Sequence, residues 1–457
     1  MRGSPLAPTQ VSVAATRHKR FGVAFGPRFF LLLAIGLLWL GPAAFHPQFA
    51  YGMLVWDLLV LAAWAADLAM LPKPSLITAS RLWSAPAALA TRAEIRLDVR
   101  NLSGRAVRMT LTDNTPPAFC QEIPECKVTV AARGAATAVY NVVPMQRGDF
   151  RMGSLYIRYG SFLRLAERWA AADLSQPVRV YPDLEQARRS LHLIHGRQTD
   201  AQLRHSRSRG QGREFESLRE YQEGDEFRNI CWGASARRGK LISRQFQMER
   251  SQPVWLVIDA GRLMRAKISG LSKLDYATGA ALSLAEVALA SGDKVGLMVY
   301  GRSVRSRIAP GRGSLHLRNI MEHLALVKEE VSESNPLQAA STLLATQSRR
   351  SLVVWVTDFA ETALTPEVLD AVRLLMPRHV VVLLVIGQPD LGELVARNPE
   401  SIPQMYLAAA AQETVHRREV LLATLRSRGA LASEVSHVGA AAVAVNSYLE
   451  VKQRNLL

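Results

Sequence analysis

Two long apolar runs separated by a short polar break constrain this chain more than any other feature. Residues 29–45 read FFLLLAIGLLWLGPAAF and residues 49–71 read FAYGMLVWDLLVLAAWAADLAML. A bilayer core of about 30 Å takes about 20 apolar residues as a helix, so the second run suffices and the first needs help from residues 46–48. A tight turn at Pro47 would make the two runs a transmembrane hairpin over 29–71, behind a basic cytoplasmic tail at 1–28. Lys and Arg cluster before the first run (Arg17, Lys19, Arg20, Arg28) and resume after the second (Lys73, Arg81, Arg92), with none between. Both termini and the remaining chain are therefore expected in the cytoplasm. A cleaved signal peptide ending near Ala43 or Ala44 fits less well, because its basic region would be long and a second apolar run would follow at once. Asp57 lies deep in the second run, where a carboxylate is costly, so it is expected to be neutral, hydrogen-bonded and structural. Asp67, nearer the end, is expected to reach water.

The rest of the chain needs a different solvent. With 457 residues, 49% hydrophobic and 21% charged, it is long enough for several folded domains and excluded from the disordered, collagenous and coiled-coil classes. The net charge of +17 directs attention to anionic partners, a membrane surface or nucleic acid. Arginine is spread along the whole chain, so the excess marks no single site. Cys120, Cys126 and Cys231 show neither a disulfide framework nor zinc spacing. They are expected to be reduced packing residues, with a Cys120–Cys126 bridge as the alternative.

From about residue 92 the hydrophobic period becomes two. EIRLDVR, VRMTLTD, KVTVA, TAVYNVV, SLYIRYG and PVRVY alternate apolar and polar residues between turns, which predicts a small immunoglobulin-like β-sandwich over 92–182. Residues 183–213 then read as a basic linker carrying Arg188, Arg189, Arg197, Arg204, Arg207, Arg209 and Arg213. No stacking aromatics interleave with them, so a solvated loop or a strand of charge lying on anionic headgroups suits this run better than nucleic acid. Residues 214–250 alternate acids and arginines around aromatics, predicting a folded ion-pair network clamped by Tyr221 and Trp232. A partner-docking surface there would use Glu214, Arg219, Tyr221, Asp225, Arg228, Trp232 and Arg237.

Residues 251–457 have α/β order. PVWLVID, KVGLMVY, SLVVWVTD and HVVVLLVI read as buried strands, and a helix over 274–290 is opened by Ser272. Such runs predict a doubly wound α/β sheet, whose ligands sit beyond the carboxyl ends of its strands. Asp259 and Asp358 stand at two such ends.

Taken together, the two apolar runs, the β-module, GREFESLREYQEGDEFRNICWGASAR and the strand opening VIDAGRLM resemble the bacterial domain of unknown function 58 family. The resemblance extends over nearly all of the chain past residue 30, and implies a last domain of the von Willebrand factor A type. It implies a membrane-anchored protein working with a MoxR-type AAA+ ATPase, often beside other membrane or A-domain proteins, with no activity defined for the family. An adhesive A-domain binds Mg²⁺ through D-x-S-x-S, a later Thr and a further Asp. Here Asp259 and Asp358 match, Gly261 and Leu263 replace the serines, and Ser334 is the nearest counterpart of the Thr. Two carboxylates and one hydroxyl would hold Mg²⁺ weakly, and Arg262 could neutralise either aspartate instead.

The expected protein is thus a non-enzymatic interaction protein or adaptor of the bacterial inner membrane, without a cofactor. A Mg²⁺-dependent hydrolase on Asp259 and Asp358 is the alternative, and would need a base from His316, His323 or His379. Nucleic-acid binding through the arginine-rich linker is a further one.

Overall fold

The computed structural model describes residues 11–17, 22–46, 48–161, 163–182, 214–222, 227, 230–247, 252–359, 366–454 and 456. Two compact units divide the chain, Met1–Tyr181 and Pro182–Leu457.

Antiparallel sheets make up the body of the first unit. One sheet has the order Val11–Ala14, Ile77–Trp83, Ala93–Asn101, Ala135–Val142; the other runs Thr16–Arg17, Ala166–Ala172, Leu155–Gly160, Val107–Asp113, Glu125–Val130. Val23–Phe25 also pairs with Ala166–Ala172, and Gly148–Met152 pairs with Gln176–Val180. The period of two is realised as predicted: along Ala93–Asn101 every second residue is buried. The β-rich region begins earlier than residue 92, however. Residues 11–25, expected as part of a basic tail, supply three strands, and Ile77–Trp83 supplies another.

A buried ion pair ties the sheets together. Arg81 and Asp113 are almost wholly buried; Arg81 Nε donates to Asp113 Oδ2 at 2.9 Å and Nη2 to Oδ1. The remaining guanidinium donors reach Leu174 O at 2.8 Å and Gly153 O at 2.9 Å, and the Tyr140 hydroxyl also donates to Asp113. Arg81 is therefore a core residue of the β-module.

The apolar runs form packed helices between these strands. The first is Pro27–Gly36, continued by a 3₁₀ turn at Leu37–Trp39 and by Leu40–Ala43; the second is Phe49–Met70. Only the second, within Phe49–Leu76, is long and apolar enough to cross a bilayer among the described residues. Trp56 Nε1 donates to Leu32 O at 2.9 Å, and a Cβ on Gly36 would lie 2.7 Å from the Trp56 ring, so glycine permits the close approach. Pro47 lies outside the described residues. Both aspartate expectations need correction. Asp57 Oδ1 is buried beside Gly36 with no hydrogen-bond partner, and Asp67 is buried, with Oδ2 accepting from Leu165 N at 3.1 Å and Ala166 N at 2.9 Å. Asp67 fastens the helix to the sheet and does not face water.

The second unit holds a six-stranded sheet. Its order is Val304–Gly311, Lys294–Tyr300, Pro253–Asp259, Leu352–Thr357, Val380–Ile386, Leu431–Val435, all parallel except the first, a half-exposed edge strand joined to its neighbour by a short turn. Trp255, Val257, Met298, Tyr300 and Trp355 pack beneath the helices Pro336–Thr346, Pro366–Leu375 and Ile402–Ser427. The intervening Val254, Leu256 and Ile258 are equally buried, on the side of the helices Lys273–Ala290 and Ala440–Gln453. Strands buried on both faces are what near-continuous apolar runs require. In this order the chain reverses its direction of growth between Pro253–Asp259 and Leu352–Thr357, the usual place for a ligand crevice.

Replacing Asp113 with Ala strands the Arg81 charge inside the sheets and is expected to cost about 3–5 kcal/mol. Joint replacement by Arg81→Met and Asp113→Leu should recover most of that loss in denaturant unfolding of the detergent-solubilised chain.

Candidate functional site

Asp259 is the last residue of its strand and is 2% exposed. Its Oδ1 accepts from Gly261 N at 2.8 Å, while Oδ2 accepts from Ser334 Oγ at 2.9 Å and Thr357 Oγ1 at 2.7 Å. Burial pushes the Asp259 carboxyl above its ordinary range, and the bonds from Thr357, Gly261, Ser334 and Tyr300 only partly oppose this. Tyr300 is itself pushed well above the usual phenol value by burial and by the Asp259 charge. Ser334 thus does meet Asp259, as the family resemblance implied. Thr357 is the partner that sequence reasoning missed; its position directly before Asp358, one strand over, was the available signal.

Asp358 is also buried but is neutralised differently. Lys273 Nζ donates to Oδ2 at 2.6 Å, and Oδ1 accepts from Phe359 N at 2.8 Å and Arg418 Nη2 at 2.9 Å. Arg418 continues to Glu434 Oε1 at 2.9 Å. Lys273 is wholly buried, and stands at the start of the helix Lys273–Ala290, which Ser272 caps through a capping box with Asp275. Arg262, expected to neutralise one of the aspartates, pairs instead with Glu333 at an exposed position. The cations at the switch point are Lys273 and Arg418, from elements far away in sequence.

These residues do not fit a Mg²⁺ ion. Both aspartates already accept from several protein donors, and the two fixed positive charges of Lys273 and Arg418 on Asp358 neutralise it and repel a divalent cation. Gly261 shows why a serine ligand is missing: a Cβ there would lie 2.8 Å from Ser334 Cβ and 2.9 Å from Ser334 N. The loop closes where the ligand hydroxyl would stand. Nor do the candidate bases converge on the aspartates. His379 Nδ1 bonds to Ser351 Oγ at 2.8 Å, and His316 Nε2 to Val295 O at 2.6 Å, both at the amino ends of strands. His323 Nδ1 bonds to Asn319 O of its own helix.

Among the described residues of 214–250, Glu214–Glu220 and Ile242–Gln247 pair as an antiparallel hairpin with the helix Trp232–Arg238 between them in sequence. Glu214 faces Gln247 and Arg219 faces Ser243 in register, while Asp225 and Arg228 lie outside the described residues. Trp232, expected from the sequence to clamp an ion-pair network, is instead 67% exposed, and several of the charged residues of that network lie outside the described residues. Tyr221 packs on Phe227 with ring centroids 6.2 Å apart, Arg237 is exposed, and Glu220 pairs with Lys240 across the hairpin in solvent. The linker 183–213 lies outside the described residues. None of the three cysteines is in a disulfide, and Cys120 Sγ lies 2.9 Å from Thr115 Oγ1.

Residues 217–420 match the family described as Protein of unknown function DUF58. The DUF58 region takes in most of the hairpin and every switch-point residue named above except Glu434. The chain is similar to the uncharacterized protein YeaD of Bacillus subtilis, at 27% identity over 193 residues, covering 42% of this chain and 45% of that one. It is also similar to the uncharacterized protein Rv1480 of Mycobacterium tuberculosis, at 26% identity over 204 residues, covering 42% of this chain and 62% of that one. Among solved structures it is similar to the conserved hypothetical protein BatB from Bacteroides thetaiotaomicron, with a TM-score of 0.29, 12% identity, and coverage of 45% of this chain and 100% of that one.

Within the DUF58 region the two aspartates should respond oppositely to amidation. Asp259→Asn keeps an acceptor for Gly261 N and removes a buried charge that is held by hydrogen bonds but faces no cation among the described residues, so stability should stay within about 1 kcal/mol of wild type. Asp358→Asn leaves Lys273 buried without its counter-charge and should cost about 3 kcal/mol or more, with Lys273→Met restoring part of it. Thermal unfolding of the three variants checks the order.

His379 provides a pH signature. Burial and the nearby Arg378 and Arg350 charges lower its pKa from 6.5 to about 4. Protonation therefore favours the unfolded chain, so stability should fall as the pH drops from about 6.5 to about 4 and level off below, by up to about 3 kcal/mol. His379→Gln should flatten that portion of a stability profile measured by urea titration.

Proposed function

We propose that this chain is a protein-interaction or adaptor protein tethered to the bacterial cytoplasmic membrane, with a von Willebrand factor A-like domain whose metal site has been replaced by an internal salt-bridge cluster. The observation that carries this reading is the neutralisation of Asp358 by Lys273 and Arg418 at the switch point of the sheet. A crevice whose carboxylates are already compensated is stable without an ion, and offers shape and surface polarity to a partner more readily than an activated group to a substrate. Strand order supports the A-like reading, with its antiparallel edge strand and Asp259 and Asp358 at adjacent carboxyl ends.

Strand pairing supports the tether. Val11–Ala14, before the two apolar helices, is hydrogen-bonded to Ile77–Trp83, after them. That pairing is compatible with a chain that enters and leaves the helices on one side, as a two-span hairpin would, with a β-module read as immunoglobulin-like at its base. Positive residues on that side favour the cytoplasm. The partner we propose, on the family resemblance, is a MoxR-type AAA+ ATPase, with other membrane or A-domain proteins as co-assembling components. The exposed Trp232 and Arg237 of the hairpin are the contact residues we favour.

Crosslinked membranes containing the tagged chain, affinity-purified with and without ATP, should yield an AAA+ ATPase by mass spectrometry. Trp232→Ala should lower its recovery by tenfold or so, on the scale of about 1.4 kcal/mol of lost binding. Recovery of no ATPase from any crosslinked sample would withdraw the adaptor reading.

A further inference from the structure

The apolar helices are fixed to the β-module by contacts on several sides. Asp67 accepts the backbone N–H groups of Leu165 and Ala166, Arg168 Nη2 donates to Leu68 O at 3.1 Å, and Arg105 Nη1 donates to Met70 O at 2.6 Å. Beyond the helix end, Tyr159 donates to Pro72 O at 2.8 Å. The first helix is held by the same strand and its preceding loop. Gly26 N donates to Leu165 O at 2.7 Å, and a Cβ at Gly26 would lie only 2.1 Å from Arg164 O, so no side chain fits between helix start and loop. Phe25 stacks on Phe29 at 4.3 Å and packs on Trp64 at 4.7 Å.

This attachment fixes the level of the loop that carries Leu163 and Arg164. Asp67 stands three residues before Met70, so the loop backbone meets the helix about 4.5 Å inside its end. A helix of 22 residues is about 33 Å long, slightly more than the hydrocarbon core of about 30 Å. A helix crossing that core therefore brings the loop to the boundary between acyl chains and headgroups. The side chains exposed there have the composition of such a boundary: Leu163 is 49%, Phe25 42% and Phe30 58% exposed, and Arg28 and Arg164 are exposed cations. Arg28 Nη1 lies 3.4 Å from Leu163 O, which brings the first helix and the loop together.

We propose that this loop is a membrane contact in its own right, seated at the headgroup boundary with Leu163 among the upper acyl carbons and Arg28 and Arg164 on lipid phosphates. The proposal rests on the reading of the helices as a bilayer anchor. It makes the β-module a body held at fixed height on the membrane, with its far end, near Ile123, one strand length of about 20 Å away.

The test uses the full chain in phospholipid nanodiscs, with native cysteines replaced by serine and an environment-sensitive fluorophore on Leu163→Cys, Ile123→Cys or Leu58→Cys. Lipids carrying a quencher high on the acyl chain should quench the label at 163 several-fold more than that at 123, and Arg28→Glu with Arg164→Glu should reduce the difference. Deep-quencher lipids should quench the label at 58. Quenching at 58 with none at 163 beyond the level at 123 overturns the loop contact and leaves the anchor. Absence of quenching at 58 and 163 alike overturns the anchor reading and the loop contact with it.

Discussion

A carboxylate taken out of water must be given donors, and much of this protein's architecture consists of the ways in which it supplies them. Asp67, Asp113, Asp259, Asp293 and Asp358 are all buried. Asp113 receives an arginine and a tyrosine, and holds two sheets together. Asp67 receives two backbone N–H groups and fastens an apolar helix to a strand. Asp293 receives Gln252 N, Tyr448 and Lys452, joining the first strand of the large sheet to the last helix of the chain. Each of these is a long-range contact, so the charge of one short side chain specifies how distant segments meet.

Asp259 and Asp358 show how the same requirement decides what a site can do. They stand on adjacent parallel strands at the point where ligands bind in sheets of this topology. Asp358 is compensated by two cations and Asp259 by hydroxyls and a backbone N–H, and Gly261 brings the Ser334 backbone close enough to exclude a further ligand. A divalent ion and a buried ammonium are alternative answers to the same electrostatic problem, and this chain carries the ammonium.

Asp57 is the exception. Its Oδ1 is buried without a donor between two apolar helices, beside the glycine that lets them approach. Elsewhere the helices are held at their ends by the β-module, through Asp67, Arg168, Arg105 and Gly26, so position and orientation are imposed from outside the apolar region.

Local signals in the sequence were sufficient for what depends on local pattern. The apolar runs, the period of two in the β-module, the buried strands from 253 to 386 and the Ser272 cap all follow from side-chain periodicity and backbone hydrogen bonding within a few residues. The placement of Asp259 and Asp358 at strand ends was equally legible, because strand order and strand length determine it. What the tertiary structure alone decided is who meets whom. The strands at 11–25 were hidden in a basic tail because their partners lie up to 155 residues away, Thr16 pairing with Ala171. Asp67 was expected to reach water until folding brought backbone N–H groups to it, and nothing in their local sequence marked Arg81, Lys273 and Arg418 as partners of buried carboxylates. Burial and charge pairing are properties of assembled space, and no window along the chain contains them.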